Sequence, residues 1–519
     1  MCAAMVHDVR GQTQPPNSLS ITTYGASTGS ADNTTDIQNC INAAQTQGKS
    51  VWVPAGTFQV KGSLNATGIT IGGAGASSVI YRNQNSSDIT ATQLSLLSCT
   101  VENLMIDGNG TSRGVNASYG INIKGVGWLI ENVTIHHSDA GIWASGTSGT
   151  IQSCLLTNTF ADGANINNAG TDPNTAGANL TIQNCTQTGA NDDGFAINAQ
   201  GSGNMVHPQI LNCTSLNDDG ANGIRIAGGS NSVVSGCLVS NTVLECGIEA
   251  STFGSTGDPL VNGMIKNNVV YGCGTVDEAS CIGTGDARTT ATFTGNILNN
   301  SAGNGFQVGT PTYPNGGTIV FGPNNVINHP AKTGIYIVSG VSGSGKFYTN
   351  TVLNLASGQT QFTDASSSFS TTLTGNTWQG LGSGPYRIVN LNSGLALDAT
   401  GQATTNGTPL EQWTYNAGAN QLWNLTSLGS GQYTITGVQS GRVLDVKGQG
   451  TANGTAVQLY DSNGGSNQKW VISATAGTIQ GVQSAKLMEV AGASKSPGAL
   501  VDIYSSNGGA NQQWSFQSP

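Results

Sequence analysis

Short runs of alternating apolar and polar residues recur along most of the chain, each closed by Gly, Asn or Asp. Seven of them open at Val101, Ile130, Ile151, Ile182, Ile210, Val234 and Ile265, separated by 29, 21, 31, 28, 24 and 31 residues. Period-two alternation marks strands, and a repeat of this length with strand patterning predicts a solenoid. The expected closure is a right-handed parallel β-helix, one coil per repeat. Unequal spacing predicts loops of different length on one face, where a groove forms. A β-propeller would need blades of about 40 residues or more. Ahead of the repeats, Asp32 or Asn33 is placed to cap a helix carrying Ile37, Ile41 and Ala44 on one face. Such a helix would cover the open end of the stack and shield its strand edges.

A second, more regular repeat follows. Gln421-Leu-Trp423, Gln468-Lys-Trp470 and Gln512-Gln-Trp514 are 47 and 44 residues apart, and each glutamine follows an aromatic residue (Trp413, Tyr460, Tyr504) by 8 positions. Three such copies predict a β-trefoil. The expected chain is all-β, with a tail over 1–17, a parallel β-helix over 18–380 and a trefoil over 384–519, the break falling at Gly380-Leu-Gly-Ser-Gly-Pro385.

Composition agrees with this picture. Of 519 residues, 74 are glycine and only 8% are charged, while Val, Ile and Thr are plentiful, which suits many short strands and tight corners rather than disorder. The formal charge of −10 argues against nucleic acid or an anionic membrane as partner. No run approaches the roughly 20 apolar residues that span a bilayer. Residues 1–16 lack the apolar stretch of a signal peptide, so an extracellular location rests on composition and inferred substrate. Cys154, Cys185, Cys213 and Cys237 close similar tetrapeptides, which predicts a column of buried thiols at successive corners. Disulfides are the rival reading, Cys273 with Cys281 being the first pair to test. Zinc is not expected, because no histidines stand at ligand spacing.

The candidate chemistry lies in Phe160-Ala-Asp162-Gly and Asn191-Asp192-Asp193-Gly194. Carboxylates one coil apart become neighbours at rungs roughly 4.8 Å apart. Crowding raises the proton affinity of one member, leaving an acid beside a water-activating base. Both Asp192 and Asp193 can face a groove only at a bend, which Asn191 and Gly194 suit. A second Asn-Asp-Asp-Gly at 217–220, 26 residues on, is expected about one rung below. Its Asp218 and Asp219 read as a corner ladder, a substrate subsite or a structural calcium site. Arg225 and Glu249 are further candidates for substrate contact. No cofactor is required by this chemistry.

The C-terminal repeats resemble the ricin-B-type trefoils, or family 13 carbohydrate-binding modules. That resemblance implies two sugar pockets, Asp398 with Trp413 and Asn420, and Asp445 with Tyr460 and Asn467. The tryptophans of the Gln-x-Trp signature read as core. The third repeat departs from the pattern with Glu489 in place of Asp. Residues 18–290 resemble glycoside hydrolase family 87, the α-1,3-glucanases and mycodextranases, through Gly48-Lys-Ser-Val-Trp-Val-Pro-Ala-Gly-Thr-Phe58, Ile69-Thr-Ile-Gly-Gly-Ala-Gly75, Gly141-Ile-Trp143, Asn158-Thr-Phe-Ala-Asp-Gly163, Asn191-Asp-Asp-Gly-Phe-Ala-Ile197 and Asn222-Gly-Ile-Arg-Ile226. The resemblance implies an inverting hydrolase of α-1,3-glucan or nigeran. Asp192 would be its general acid, and Asp162 with Asp193 would position and deprotonate water, with about 6.5–9.5 Å between acid and base. A monomer acting on α-glucan is expected. Two alternatives stand: a polygalacturonase-like hydrolase, whose Gly-His-Gly and Arg-Ile-Lys patterns are missing here, and a non-catalytic glycan-binding adhesin.

Overall fold

The computed structural model describes residues 12–83, 92–112, 119–168, 177–200, 205–253, 257–274, 280–285, 288–309, 315–355, 359–374, 376, 385–429, 432–473 and 477–517. Three parallel sheets of 14, 12 and 12 strands run the length of a solenoid, each strand pairing with its counterpart one coil away. Val101, Ile130, Ile151, Ile182, Ile210, Val234 and Ile265 are successive partners in a single ladder. All seven are fully buried, so the irregular spacing read from the sequence is the true coil length. The ladder continues through Phe293, Phe321 and Phe347.

Just past that ladder the chain turns a corner, and the corner residues form a column. Cys154, Cys185, Cys213 and Cys237 occupy it first, buried and unbridged. The Cys154, Cys185 and Cys213 thiols each donate to a carbonyl two residues back, at 3.2–3.3 Å. Beyond Cys237 the column changes from thiol to amide: Asn268, Asn296, Asn325, Asn350 and Asn376 pass a side-chain hydrogen bond from coil to coil at 3.0 Å. The thiol column was legible in the sequence; its continuation as an amide ladder was not. Cys273 and Cys281 are unbridged too, their buried thiols donating to the Tyr271 and Asn299 carbonyls at 3.3 and 3.6 Å.

The helix Thr34–Gln47 buries Ile37, Cys40, Ile41 and Ala44 in the same hydrophobic core as Val51 and Leu64 of the first coil. Asn33 is the N-cap by position, yet its side chain makes no cap bond. The Asp32 carboxylate instead accepts from the Thr34 N–H at 3.0 Å. Gly48, at φ 61°, ends the helix in the left-handed conformation.

The last described solenoid strand is Ser368–Thr374 and the first of the C-terminal domain is Arg387–Asn390; the predicted break at 380–384 lies outside the described residues. Antiparallel strands beyond it close around Trp423, Trp470 and Trp514, each at most 2% exposed. Their indole N–H groups donate to the carbonyls of Leu397, Leu444 and Met488 at 2.9–3.1 Å. Gln421, Gln468 and Gln512 donate to Thr414, Asp461 and Ser505, each at 2.9 Å. The signature therefore works as a unit: tryptophan fills the shared core while glutamine ties down the loop after the exposed aromatic.

Candidate active site

Asp162, Asp192 and Asp193 lie at the entry to one sheet of the solenoid. The strands Ala164–Asn167 and Phe195–Asn198 pair in register, Ala164 opposite Phe195, which sets Asp162 beside Asp193 and Ala161 beside Asp192. Each acid corner ends in a glycine because the coils touch there. A Cβ on Gly163 would sit 2.4 Å from the Gly194 carbonyl oxygen, and one on Gly194 would sit 1.9 Å from Ser215 Oγ. The three carboxylates converge so that one oxygen from each lies within 4.8 Å of the others.

Their surroundings differ. Asp162 and Asp193 are buried, whereas Asp192 is half-exposed. Asn165 donates to Asp162 Oδ2 at 2.6 Å and receives a bond from Asn167 at 3.0 Å. Asn222 holds Asp193 Oδ1 with both its backbone N–H (3.2 Å) and its side-chain amide (3.1 Å). The same amide reaches Glu245 at 2.7 Å and Glu249 at 3.3 Å. Arg225 stands between Glu249, 3.4 Å from Nε, and Asp193, 3.9 Å from Nη1. Burial, reinforced by Asp162 and Asp192, pushes Asp193 well above the ordinary carboxylate range against the pull of Arg225 and Asn222. Burial, then Glu249, also raises Glu245.

A cleft of about 420 Å³ opens over this corner, lined by the three aspartates together with Tyr119, Asp139, Trp143, Asn198, Arg225 and Phe253. Asn198 is 5% exposed, and its Oδ1 has no hydrogen-bond partner among the described residues, so a ligand hydroxyl entering the cleft would relieve a cost of roughly 1–3 kcal/mol.

Asp218 and Asp219 do not join this site. The coil from Asp193 to its partner Asn222 is 29 residues, since Phe195 pairs with Ile224; the second Asn-Asp-Asp-Gly, 26 residues on, falls short of alignment. Asp218 is 0% exposed and accepts from Ser215 Oγ at 2.7 Å and the Ala190 N–H at 3.3 Å. Asp219 is exposed, its N–H bonded to the Ala190 carbonyl. Neither lines the cleft, and among the described residues the acids grouped closely enough to share an ion are Asp162, Asp192 and Asp193 rather than this corner. Of the readings offered for 217–220, Asp218 has the geometry of the structural corner, tied to Ser215 and Ala190 and away from the cleft. Sequence reasoning missed Asp139 and the clamping role of Asn222; coil arithmetic from the strand ladder would have put Asn222 beside Asp193.

In the trefoil, Asn420 donates to Asp398 and Asn467 to Asp445, both at 2.7 Å, beneath Trp413 and Tyr460, which are 42% and 39% exposed. The third repeat departs from this: Glu489 accepts from Gln512, while Asn511 turns to the Val490 carbonyl.

Comparison with known proteins follows the same division. Residues 374–460 and 466–519 match the family model for ricin-type β-trefoil, lectin-like domains. Residues 18–249 match the model described as rhamnogalacturonase A/epimerase, pectate lyase-like. No curated protein matches the chain. Among solved structures, the catalytic unit of a thermostable family 87 α-1,3-glucanase from Streptomyces thermodiastaticus strain HF3-3 superposes with TM-score 0.56 at 22% identity, covering 71% of this chain and 70% of that one. The likeness is one of fold: the solenoid is built as that catalytic unit is. A family 87 α-1,3-glucanase variant holding tetrasaccharides gives TM-score 0.56 at 20% identity, over 71% of this chain and 70% of that one. The Agl-KA catalytic domain gives 0.52 at 19%, over 70% and 69%. These fold likenesses cover about the solenoid's share of the chain, and the residues after it follow the ricin-type, lectin-like model.

Proposed function

We propose that this protein is an extracellular glycoside hydrolase of α-1,3-linked glucan, held on its polymer by the trefoil. The observation that carries the reading is the meeting of Asp162, Asp192 and Asp193 at one cleft, on the fold shared with α-1,3-glucanases. Asp192, the most accessible of the three, protonates the leaving oxygen. Asp162 and Asp193 align the attacking water and take its proton. The Asp398 and Asp445 pockets bind sugar hydroxyls while Trp413 and Tyr460 stack on the apolar sugar face. Two weak contacts on the same body raise the local concentration of substrate at the cleft.

A second assignment has its own support. Asp193 carries the raised proton affinity, which suits it to be the acid, with Asp192 as its partner. The test is reducing-sugar release from α-1,3-glucan, with the product anomer followed by proton NMR. Asp192→Asn should abolish release yet still sediment with the polymer. Turnover equal to wild type removes Asp192 from the mechanism, and a product of retained configuration removes the inverting assignment. No release by wild type from any α-glucan, with binding intact, leaves the adhesin reading.

A further inference from the structure

The acid column extends beyond the reacting trio. The Ala161 N–H donates to the Asp139 carbonyl at 2.7 Å, and Ala164, Phe195, Ile224 and Ile248 are successive partners. The residues aligned with Asp192 are therefore Asp139, Ala161, Asp192, Ala221 and Glu245. Acids occupy every second coil, with alanine between. At roughly 4.8 Å per coil, Asp139 stands about 10 Å from Asp192, the proposed acid, and one coil from Asp162. It is nonetheless only 6% exposed and faces the same cleft. The strand that follows it, Ile142–Ser145, presents Trp143 to the cleft. Tyr119 lies parallel to that indole, ring centres 5.4 Å apart and planes 5° apart. The phenol ring is stacked on the indole and fixes its tilt, which holds the aromatic pair beside the Asp139 carboxylate in the cleft lining.

This pairing repeats the chemistry of the trefoil pockets. An aromatic face packs against the C–H face of a pyranose, and a carboxylate accepts from its hydroxyls. We propose that Asp139, Trp143 and Tyr119 form a sugar-binding subsite that holds a glucosyl unit beyond those flanking the scissile bond. The inference rests on the glucanase reading and makes the cleft select for longer chains. Asp139 is a binding residue here, not a member of the proton-transfer group.

The experiment measures kcat/KM for α-1,3-linked gluco-oligosaccharides from trisaccharide to hexasaccharide, in wild type, Asp139→Asn, Trp143→Ala and Trp143→Phe. Wild-type efficiency should climb with length. In Asp139→Asn and Trp143→Ala the hexasaccharide-to-trisaccharide ratio should fall at least tenfold, with Trp143→Phe recovering most of it. An unchanged ratio in both the near-isosteric Asp139→Asn and Trp143→Ala overturns the subsite. Tryptophan fluorescence separates this failure from that of the parent reading. If wild type cleaves nothing but hexasaccharide shifts the emission of a Trp413→Ala variant, in which the trefoil indole is silent, and adding Trp143→Ala abolishes that shift, the subsite stands and the glucanase assignment falls.

Discussion

Replacing Asn222 by alanine isolates the electrostatics of the trio, because Asn222 touches no substrate position in the mechanism yet grips the most perturbed carboxylate. Its side-chain amide donates to Asp193 Oδ1 at 3.1 Å, while its backbone N–H, at 3.2 Å, survives the substitution. The amide holds Asp193's proton affinity down against burial. A hydrogen bond to a charged group contributes about 1.5–3 kcal/mol, and one pH unit corresponds to about 1.36 kcal/mol. Loss of the amide should therefore raise Asp193 by roughly one to two pH units. The kcat/KM–pH profile reports the free enzyme's acid and base. If Asp193 works ionised, as the water-activating base, the acidic limb moves up by that amount, and activity on the acid side drops about tenfold to hundredfold. If Asp193 is the acid, the basic limb moves up instead and the acid side keeps its rate. One profile thus chooses between the two assignments. Both limbs staying where wild type has them would refute the claim that Asn222 sets the ionisation of this site.

Two further outcomes follow from the interior. Asp218 is raised from the usual 3.8 to about 7, first by burial. Its folded form keeps a proton that the unfolded chain has released, so its contribution to stability falls as pH rises from about 4 to 7. Relative to wild type, Asp218→Asn should gain up to about 4 kcal/mol across that window, read from paired denaturation curves at several pH values; a difference independent of pH would contradict the assignment. The nine described cysteines are all buried and unbridged, and burial raises Cys154, Cys185 and Cys213 well above the ordinary thiol range. Iodoacetamide should leave them unmodified in the native protein and alkylate them on unfolding, with Cys273 and Cys281 recovered as separate thiols in peptide mapping; a Cys273–Cys281 disulfide or native alkylation of the column would refute that packing.

What the sequence made legible and what it hid have one physical cause. A strand's inward residue must be apolar, so the positions from Val101 to Ile265 announced the coil register, and core tryptophans at fixed spacing announced the trefoil. Both signals come from burial, which acts on every repeat alike. The candidate site lies where the coils differ. Between the ladder positions Ile182 and Ile210 the coil is 28 residues, between Val234 and Ile265 it is 31, and the surplus is taken up at corners rather than in strands. The same motif can therefore serve two purposes. At 191–194 the pair Asp192-Asp193 precedes its strand directly, Phe195 being the first strand residue, and the acids turn to the cleft. At 217–220 the same four letters end three residues further from their strand, which begins at Ile224, and Asp218 turns inward to Ser215. Counting from the following strand, rather than from the preceding copy of the motif, would have separated the two. It would also have exposed the alternation of Asp139, Asp192 and Glu245 with alanine, because those residues share a distance to the strand and nothing else in the sequence connects them. In a solenoid the unit that carries chemical meaning is the column across coils, and a column becomes readable only when each coil is indexed from its own buried ladder.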